Sequence, residues 1–150
     1  MDTLKKKLFE NCLLQIDAQI ADLQSVIHDA QATAMSDDKS SAGDKYETNR
    51  AMAHRESEMF GHQLDAHVVT REALCAVDIN QKCDVVSAGA VVTSSAGSFF
   101  IAISADEIEI DGVEYTPISL VSPIGSAMEG KRAGEKCTFR DKTLKIISVQ

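Results

Sequence analysis

A heptad spacing of apolar residues in the first quarter of the chain constrains the fold more than any other feature. Its positions follow one another at intervals of four and three residues, and all are apolar: Phe9, Leu13, Ile16, Ile20, Leu23, Ile27, Ala30 and Ala34. Such a seam is typical of a helix that packs along a partner helix at a shallow angle. Because residues 3–35 contain no Gly or Pro, the seam predicts one unbroken helix about 50 Å long.

A second helix is predicted over residues 44–77. Its apolar face is less regular and consists of Met52, Ala53, Met59, Phe60, Leu64, Val68 and Leu74. The short link Ser36–Gly43 brings the chain straight back, so the two helices are expected to be antiparallel neighbours. We therefore predict a helical hairpin, and pairing of this hairpin with a second copy of itself remains open.

Composition changes near Asp78, after which both prolines and most of the glycines occur. We place a domain boundary there, giving a hairpin domain at 1–78 and a second domain at 84–150. The second domain is predicted to be a small antiparallel sheet with one short helix, which makes the fold class α+β. Strands are predicted at Gly89–Thr93, Ser98–Ser104, Ile108–Ile110, Val113–Ile118, Lys136–Phe139 and Thr143–Val149, and the helix at Ser122–Met128.

Composition and charge exclude several classes of function. Hydrophobic residues make up 44% and charged residues 25% of the chain, which is typical of a folded protein. The net charge of −8 argues against binding to free nucleic acid, which needs basic surface. No stretch is long and apolar enough to span a membrane, and we expect a cytoplasmic protein.

Reactive side chains show no catalytic pattern. The four cysteines have no CxxC spacing and are expected to be free, buried thiols. The histidines form no HExxH motif, and GxSxG, P-loop and GxGxxG motifs are absent from the sequence. The basic clusters Lys5–Lys7 and Lys131-Arg132 are expected to be solvated or to contact an acidic partner surface.

Four carboxylates lie at the predicted hairpin tip, within the link or at the start of the second helix: Asp37, Asp38, Asp44 and Glu47. Asp44 suits a helix N-cap, and Glu47 follows at the capping-box position. The same four carboxylates would also offer hard oxygen ligands to a divalent cation. Both interpretations stay open at this point.

Two motifs give the chain a family resemblance that covers both predicted domains. One is Gly43-Asp44-Lys45-Tyr46-Glu47 at the hairpin tip, and the other is the Ser-Pro-Ile segment that runs from Ser122 to Gly130-Lys131. Together they resemble the GreA/GreB family of bacterial transcript-cleavage factors, whose antiparallel coiled coil carries Gly-Asp-x-x-Glu at its tip. The C-terminal domain of that family is FKBP-like, and we expect the same here.

The resemblance implies a transcription elongation factor that acts on RNA polymerase. In that family the coiled coil enters the secondary channel of the polymerase, and the tip acids help to hold the second Mg²⁺ and the attacking water. Asp44 and Glu47 would take these roles, and the polymerase itself would cut the 3′ end of its backtracked RNA. The protein would therefore be an accessory factor and not an enzyme, with Mg²⁺ bound only in the complex.

A second contact with the polymerase is expected at the rim of the channel. An Ile-containing turn beside a basic pair offers an apolar anchor with a charged edge. The residues expected to make this contact are Ser122, Pro123, Ile124, Lys131 and Arg132. The alternative is that the segment serves as a helix cap and that Ile124 and Met128 pack into the core.

The chain departs from the family pattern after Glu47. Thr48-Asn49-Arg50-Ala51 stands where the family usually has Asn-Ala-Glu-Tyr, and Asp37-Asp38 is an additional acidic pair. Two alternatives therefore remain beside cleavage stimulation. One is a regulator that occupies the channel without promoting cleavage, and the other is a structural coiled-coil adaptor with no polymerase contact.

Overall fold

The computed structural model describes the backbone of residues 3–37 and 43–150, and the side chains of residues 3–32, 48 and 50–150. Two long helices come first, α1 (Thr3–Asp37) and α2 (Gly43–Cys75). Six strands and one short helix follow: β1 (Val91–Ser94), β2 (Gly97–Ile101), β3 (Ile108–Ile110), β4 (Val113–Ile118), α3 (Pro123–Met128), β5 (Lys136–Phe139) and β6 (Lys142–Val149). The predicted α+β fold, a helical hairpin followed by a sheet domain with one short helix, is confirmed.

Contacts divide the chain into two compact units. One unit is Ile16–Thr70, and the other combines Met1–Gln15 with Arg71–Gln150. The first part of α1 and the last residues of α2 thus belong to the same unit as the sheet. The predicted domain boundary at 78–84 was placed where the composition changes and not by contacts, so it stays a prediction.

The unit Ile16–Thr70 consists of the facing parts of α1 and α2. On α1 the heptad positions Ile16, Ile20, Leu23, Ile27 and Ala30 are buried or half-buried, and the residues between them are mostly exposed. The predicted seam of α1 is confirmed at these positions, while Ala34 lies outside the residues whose side chains are described.

The inner face of α2 differs from the predicted one. Its less exposed positions follow the same four-three spacing and include polar residues: Ala53, Ser57, Phe60, Leu64, His67, Arg71 and Leu74. Met52, Met59 and Val68, which were assigned to this face, are instead exposed. The prediction was wrong at these three positions because apolar character does not follow the heptad in α2.

The second unit is built on a mixed sheet with strand order β3-β4-β2-β1-β6-β5. All neighbouring pairs are antiparallel except β2 and β4, which pair in parallel from Ser98–Tyr115 to Ile101–Ile118. Turns at Asp111-Gly112 and Arg140-Asp141 have positive φ at both residues, as tight two-residue hairpins require. The buried core lies on this sheet and includes Phe99, Ile101, Met128, Leu144 and Ile146.

Polar contacts join the first part of α1 to the rest of this unit. The Gln15 side chain pairs with the Asp106 backbone in both directions, donating to its carbonyl oxygen at 3.2 Å and accepting from its N–H at 2.8 Å. Lys5 is 2% exposed, and its ammonium donates to the Gln81 carbonyl oxygen at 2.8 Å. The expected solvated basic cluster is therefore wrong at Lys5, whereas Lys6 and Lys7 are exposed.

Candidate functional site

The acidic motif lies where the hairpin returns. α1 ends at Asp37, and α2 begins at Gly43, so Asp44 and Glu47 fall in the first turn of α2. The helix starts one residue earlier than predicted, which puts Asp44 inside the first turn and not at the flanking cap position. The side chains of Asp44 and Glu47 lie outside the described residues, as does the whole of Asp38. Their roles as metal ligands stay predictions.

The described acidic and imidazole side chains of the hairpin form no metal centre of their own. Within the side chains that the structure describes, no cluster of three or more His, Cys, Asp or Glu residues is arranged to hold a metal ion. His54 contacts Glu58, with 3.2 Å between Nε2 and Oε1, and both side chains are exposed. This contact is an ordinary i, i+4 pair on a helix surface.

The second predicted site begins at Ser122, which caps α3. Its hydroxyl donates to the Ser119 carbonyl oxygen at 2.6 Å and accepts from the Gly125 N–H at 3.1 Å. Pro123 then occupies the first turn of α3, where a missing N–H costs nothing. The Ser126 hydroxyl donates to the Leu120 carbonyl oxygen at 2.9 Å. These bonds fix the turn that precedes the helix.

The inner side of α3 belongs to the core. Ile124 is half-buried and packs against the core cluster, and Met128 is fully buried within it. Gly125 is also buried, and a side chain there would overlap the Ser119 carbonyl group. The alternative interpretation of the segment, as a helix cap with core packing, therefore describes Ser122, Ile124 and Met128 well.

The outer side of the segment is available to a partner. Val121 is 91% exposed, Arg132 is exposed, and Lys131 is half-buried. The backbone around the basic pair is fixed, because the Lys131 carbonyl oxygen accepts from the Val86 N–H at 2.8 Å. The Arg132 N–H donates to the Glu135 carboxylate at 3.0 Å. Sequence reasoning missed Val121, because an apolar residue directly before a helix cap usually packs against the helix.

The cysteines are all free, as predicted, but they differ in setting. Cys12, Cys83 and Cys137 are buried, whereas Cys75 is exposed, contrary to the expectation that all are buried. Burial raises the pKa of the Cys12 thiol to about 11. Burial also raises the pKa of Cys137, and the nearby Lys131 charge partly offsets this rise. Cys12 and Cys137 are therefore poor nucleophiles.

Comparison with known proteins gives matches among the solved structures. No protein-family profile and no curated protein matches the chain. The crystal structure of GreA factor homologue 1 (Gfh1) from Thermus thermophilus matches with 17% identity and a TM-score of 0.36, covering 92% of this chain and 94% of that one. A structure of the transcription factor Gfh1 matches with 16% identity and a TM-score of 0.34, covering 92% of both chains. With TM-scores this low, neither match assigns a function to the chain.

Proposed function

We propose that this protein is a transcription elongation factor that binds RNA polymerase through its secondary channel and stimulates cleavage of backtracked RNA. The observation that carries the proposal is the position of Gly43-Asp44-Lys45-Tyr46-Glu47. This motif forms the first turn of the second helix of a hairpin whose helices have 35 and 33 residues. A helix of this length extends about 50 Å, which suits an arm that carries carboxylates into a deep channel.

The tip carboxylates would complete a metal site that the polymerase shares. Asp44 and Glu47 are three residues apart in one helical turn, so their backbone positions lie on the same face. Carboxylate oxygens are ligands that Mg²⁺ accepts, and the ion would stabilise the attacking and leaving oxygens of the RNA phosphate. The chain contributes ligands and geometry, and the polymerase contributes the nuclease activity.

The sheet unit would hold the complex at the channel rim. Val121 presents an apolar side chain beside the capped turn, and Arg132 presents a cation from a fixed backbone. An apolar contact surrounded by charge is typical of protein interfaces. Binding and chemistry would thus be divided between the two compact units.

The test is RNA cleavage by stalled, backtracked polymerase with and without the protein. Replacing Asp44 by Asn or Glu47 by Gln should lower cleavage stimulation more than ~100-fold, since several kcal/mol of transition-state stabilisation is lost. Polymerase binding should be unchanged. An Asp44→Asn variant that cleaves like the parent would show that the Asp44 carboxylate has no part in cleavage.

A regulator that binds without promoting cleavage is the second candidate. It is favoured by Thr48-Asn49-Arg50, which departs from the pattern of the cleavage factors. Parent protein that binds polymerase but never stimulates cleavage would support this candidate. Absence of any binding would leave the structural adaptor.

The rim contact has its own test. Arg132→Glu should weaken polymerase binding and leave the melting temperature unchanged, because the structural contacts of this residue are made by its backbone. Lys142→Glu is a matched charge reversal at an exposed position of β6, outside the 122–132 segment. Equal binding by the Arg132→Glu variant and the parent would remove this segment from the interface.

A further inference from the structure

A buried amine and a buried thiol meet beside a cavity in the sheet unit. The Lys5 Nζ and the Cys83 Sγ are 3.9 Å apart, and the two side chains are 2% and 5% exposed. They come from positions 78 residues apart in the chain. Lys5 is in the first turns of α1, and Cys83 is in the segment that leads from α2 to the sheet.

The setting of Cys83 differs from that of the other buried thiols. Its sulfur has the Lys5 ammonium at 3.9 Å and the Ser87 hydroxyl at 3.6 Å, and it lies 3.8 Å from the Gln81 carbonyl oxygen. Amines beside a sulfur provide the electropositive surroundings in which cysteines react. Burial raises the pKa of Cys12 and of Cys137, and at Cys137 the Lys131 charge offsets only part of this rise.

The cavity gives small reagents access to this pair. Its volume is about 450 Å³, and its lining includes Lys5, Asn80, Cys83 and Val149. A water molecule occupies about 30 Å³ in the liquid, so a peroxide molecule fits easily. Cys83 is thus almost fully buried and still lines a space that a small oxidant can enter.

From this geometry we propose that Cys83 and Lys5 form a reversible sulfenamide crosslink when the protein is exposed to hydroperoxide. In the first step the Cys83 thiol reduces one peroxide, giving Cys83 sulfenic acid and one water. In the second step the Lys5 amine, having given its extra proton to water, attacks the sulfenic sulfur. An S–N bond forms, the S–O bond breaks, and a second water leaves with one amine hydrogen. Cysteine sulfenic acids condense in the same way with a backbone nitrogen to give a sulfenamide.

The crosslink would join the first turns of α1 to the segment before the sheet. Lys5 already donates to the Gln81 carbonyl oxygen at 2.8 Å, so the two segments need little movement to react. A thiol would open the S–N bond and restore both side chains. The result is a redox-dependent covalent attachment within the sheet unit.

Peptide mapping of the full-length protein after treatment with hydrogen peroxide tests this proposal. We expect a peptide pair joined through Lys5 and Cys83, lighter by two hydrogens than the sum of its parts and separated by dithiothreitol. Mapping is required because a disulfide would give the same change in total mass. Cys83 oxidised only to sulfinic acid, or a two-hydrogen loss carried by other residues, would overturn the proposal.

Variants give an independent check. Lys5→Arg keeps the positive charge but should yield no crosslinked peptide, and Cys75→Ser, which removes the exposed thiol, should crosslink like the parent. Crosslinking of the parent should also raise its melting temperature after peroxide, and dithiothreitol should reverse this rise. If Lys5→Arg fails to fold, the peptide map of the parent still decides the matter.

Discussion

Gly125 offers the sharpest test of how the turn before α3 is built. A Cβ at this position would overlap the Ser119 carbonyl oxygen and would lie 2.9 Å from both the Ser119 carbonyl carbon and the Ser122 hydroxyl oxygen. These are the same groups that form the cap, since the Ser122 hydroxyl bridges Ser119 and Gly125. Gly125→Ala therefore cannot be accommodated without moving α3 away from its turn.

The magnitude follows from two contributions. Inserting a methyl group into a packed site costs about 1–3 kcal/mol, and loss of a serine cap costs about 1 kcal/mol. We expect Gly125→Ala to lower the free energy of unfolding by about 2–4 kcal/mol in total. The measurement is urea denaturation followed by circular dichroism, with the midpoint shifted and the slope unchanged.

Gly61→Ala is the matched control. Gly61 lies inside α2, and a Cβ there would meet no atom within 4 Å. The same substitution should therefore raise stability by about 0.5–1 kcal/mol through helix propensity. Opposite signs for the two variants are the expected result. A Gly125→Ala protein as stable as the parent would refute the close packing of α3 against Ser119.

Three further predictions concern stability. Leu64→Ala should lower the free energy of unfolding by about 1–2 kcal/mol, less than the roughly 2–5 kcal/mol lost at a fully buried leucine. Val69→Ala should be nearly neutral because Val69 is 63% exposed. Urea denaturation midpoints measure both effects, and equal losses of stability would contradict the assigned inner face of α2. Burial raises the Cys12 pKa from 9.0 to about 11, so the folded state keeps this proton longer than the unfolded state, and stability should fall by about 2–3 kcal/mol as pH rises through that window. Cys12→Val should lack this part of the decline, and identical pH profiles would refute the contribution. Lys136 faces Lys145 directly across β5 and β6, and their like charges repel. Lys145→Glu should therefore raise the free energy of unfolding by about 0.2–1 kcal/mol, and 1 M salt should reduce this gain. No gain at low salt would contradict the repulsion.

Local signals account for most of what could be predicted in the sheet unit. The predicted ranges agree with the observed strands at Ile108–Ile110, Val113–Ile118 and Lys136–Phe139. The turn residues that join such strands lie next to them in the sequence, and β-branched residues lie within them, so both signals are local. The parallel pairing of β2 with β4 was not predicted. No turn connects these strands directly, so their pairing depends on contacts distant in sequence.

The face of α2 could not be predicted from hydrophobicity because polar side chains occupy part of it. Ser57 and His67 stand at inner heptad positions, while Met52 and Met59 are exposed. The spacing itself, transferred from the regular seam of α1, would have identified the inner positions. Burial of Lys5 could not be predicted from hydrophobicity either, since only the fold brings its ammonium to the Gln81 carbonyl oxygen.

The Ser-Pro segment shows why a motif can indicate a fold without locating a binding surface. Ser122 caps α3, Ile124 packs on the core, and Gly125 allows close approach to Ser119. Substituting any of these three residues would disturb the turn, so a loss of polymerase binding would not distinguish docking from misfolding. The side chains of Val121 and Arg132 lie on the outer side and take no part in the cap, the core packing or the close approach to Ser119. If the segment docks, Val121→Asp and Arg132→Glu should weaken polymerase binding at unchanged melting temperature, and full binding by both variants would leave the motif a purely structural one.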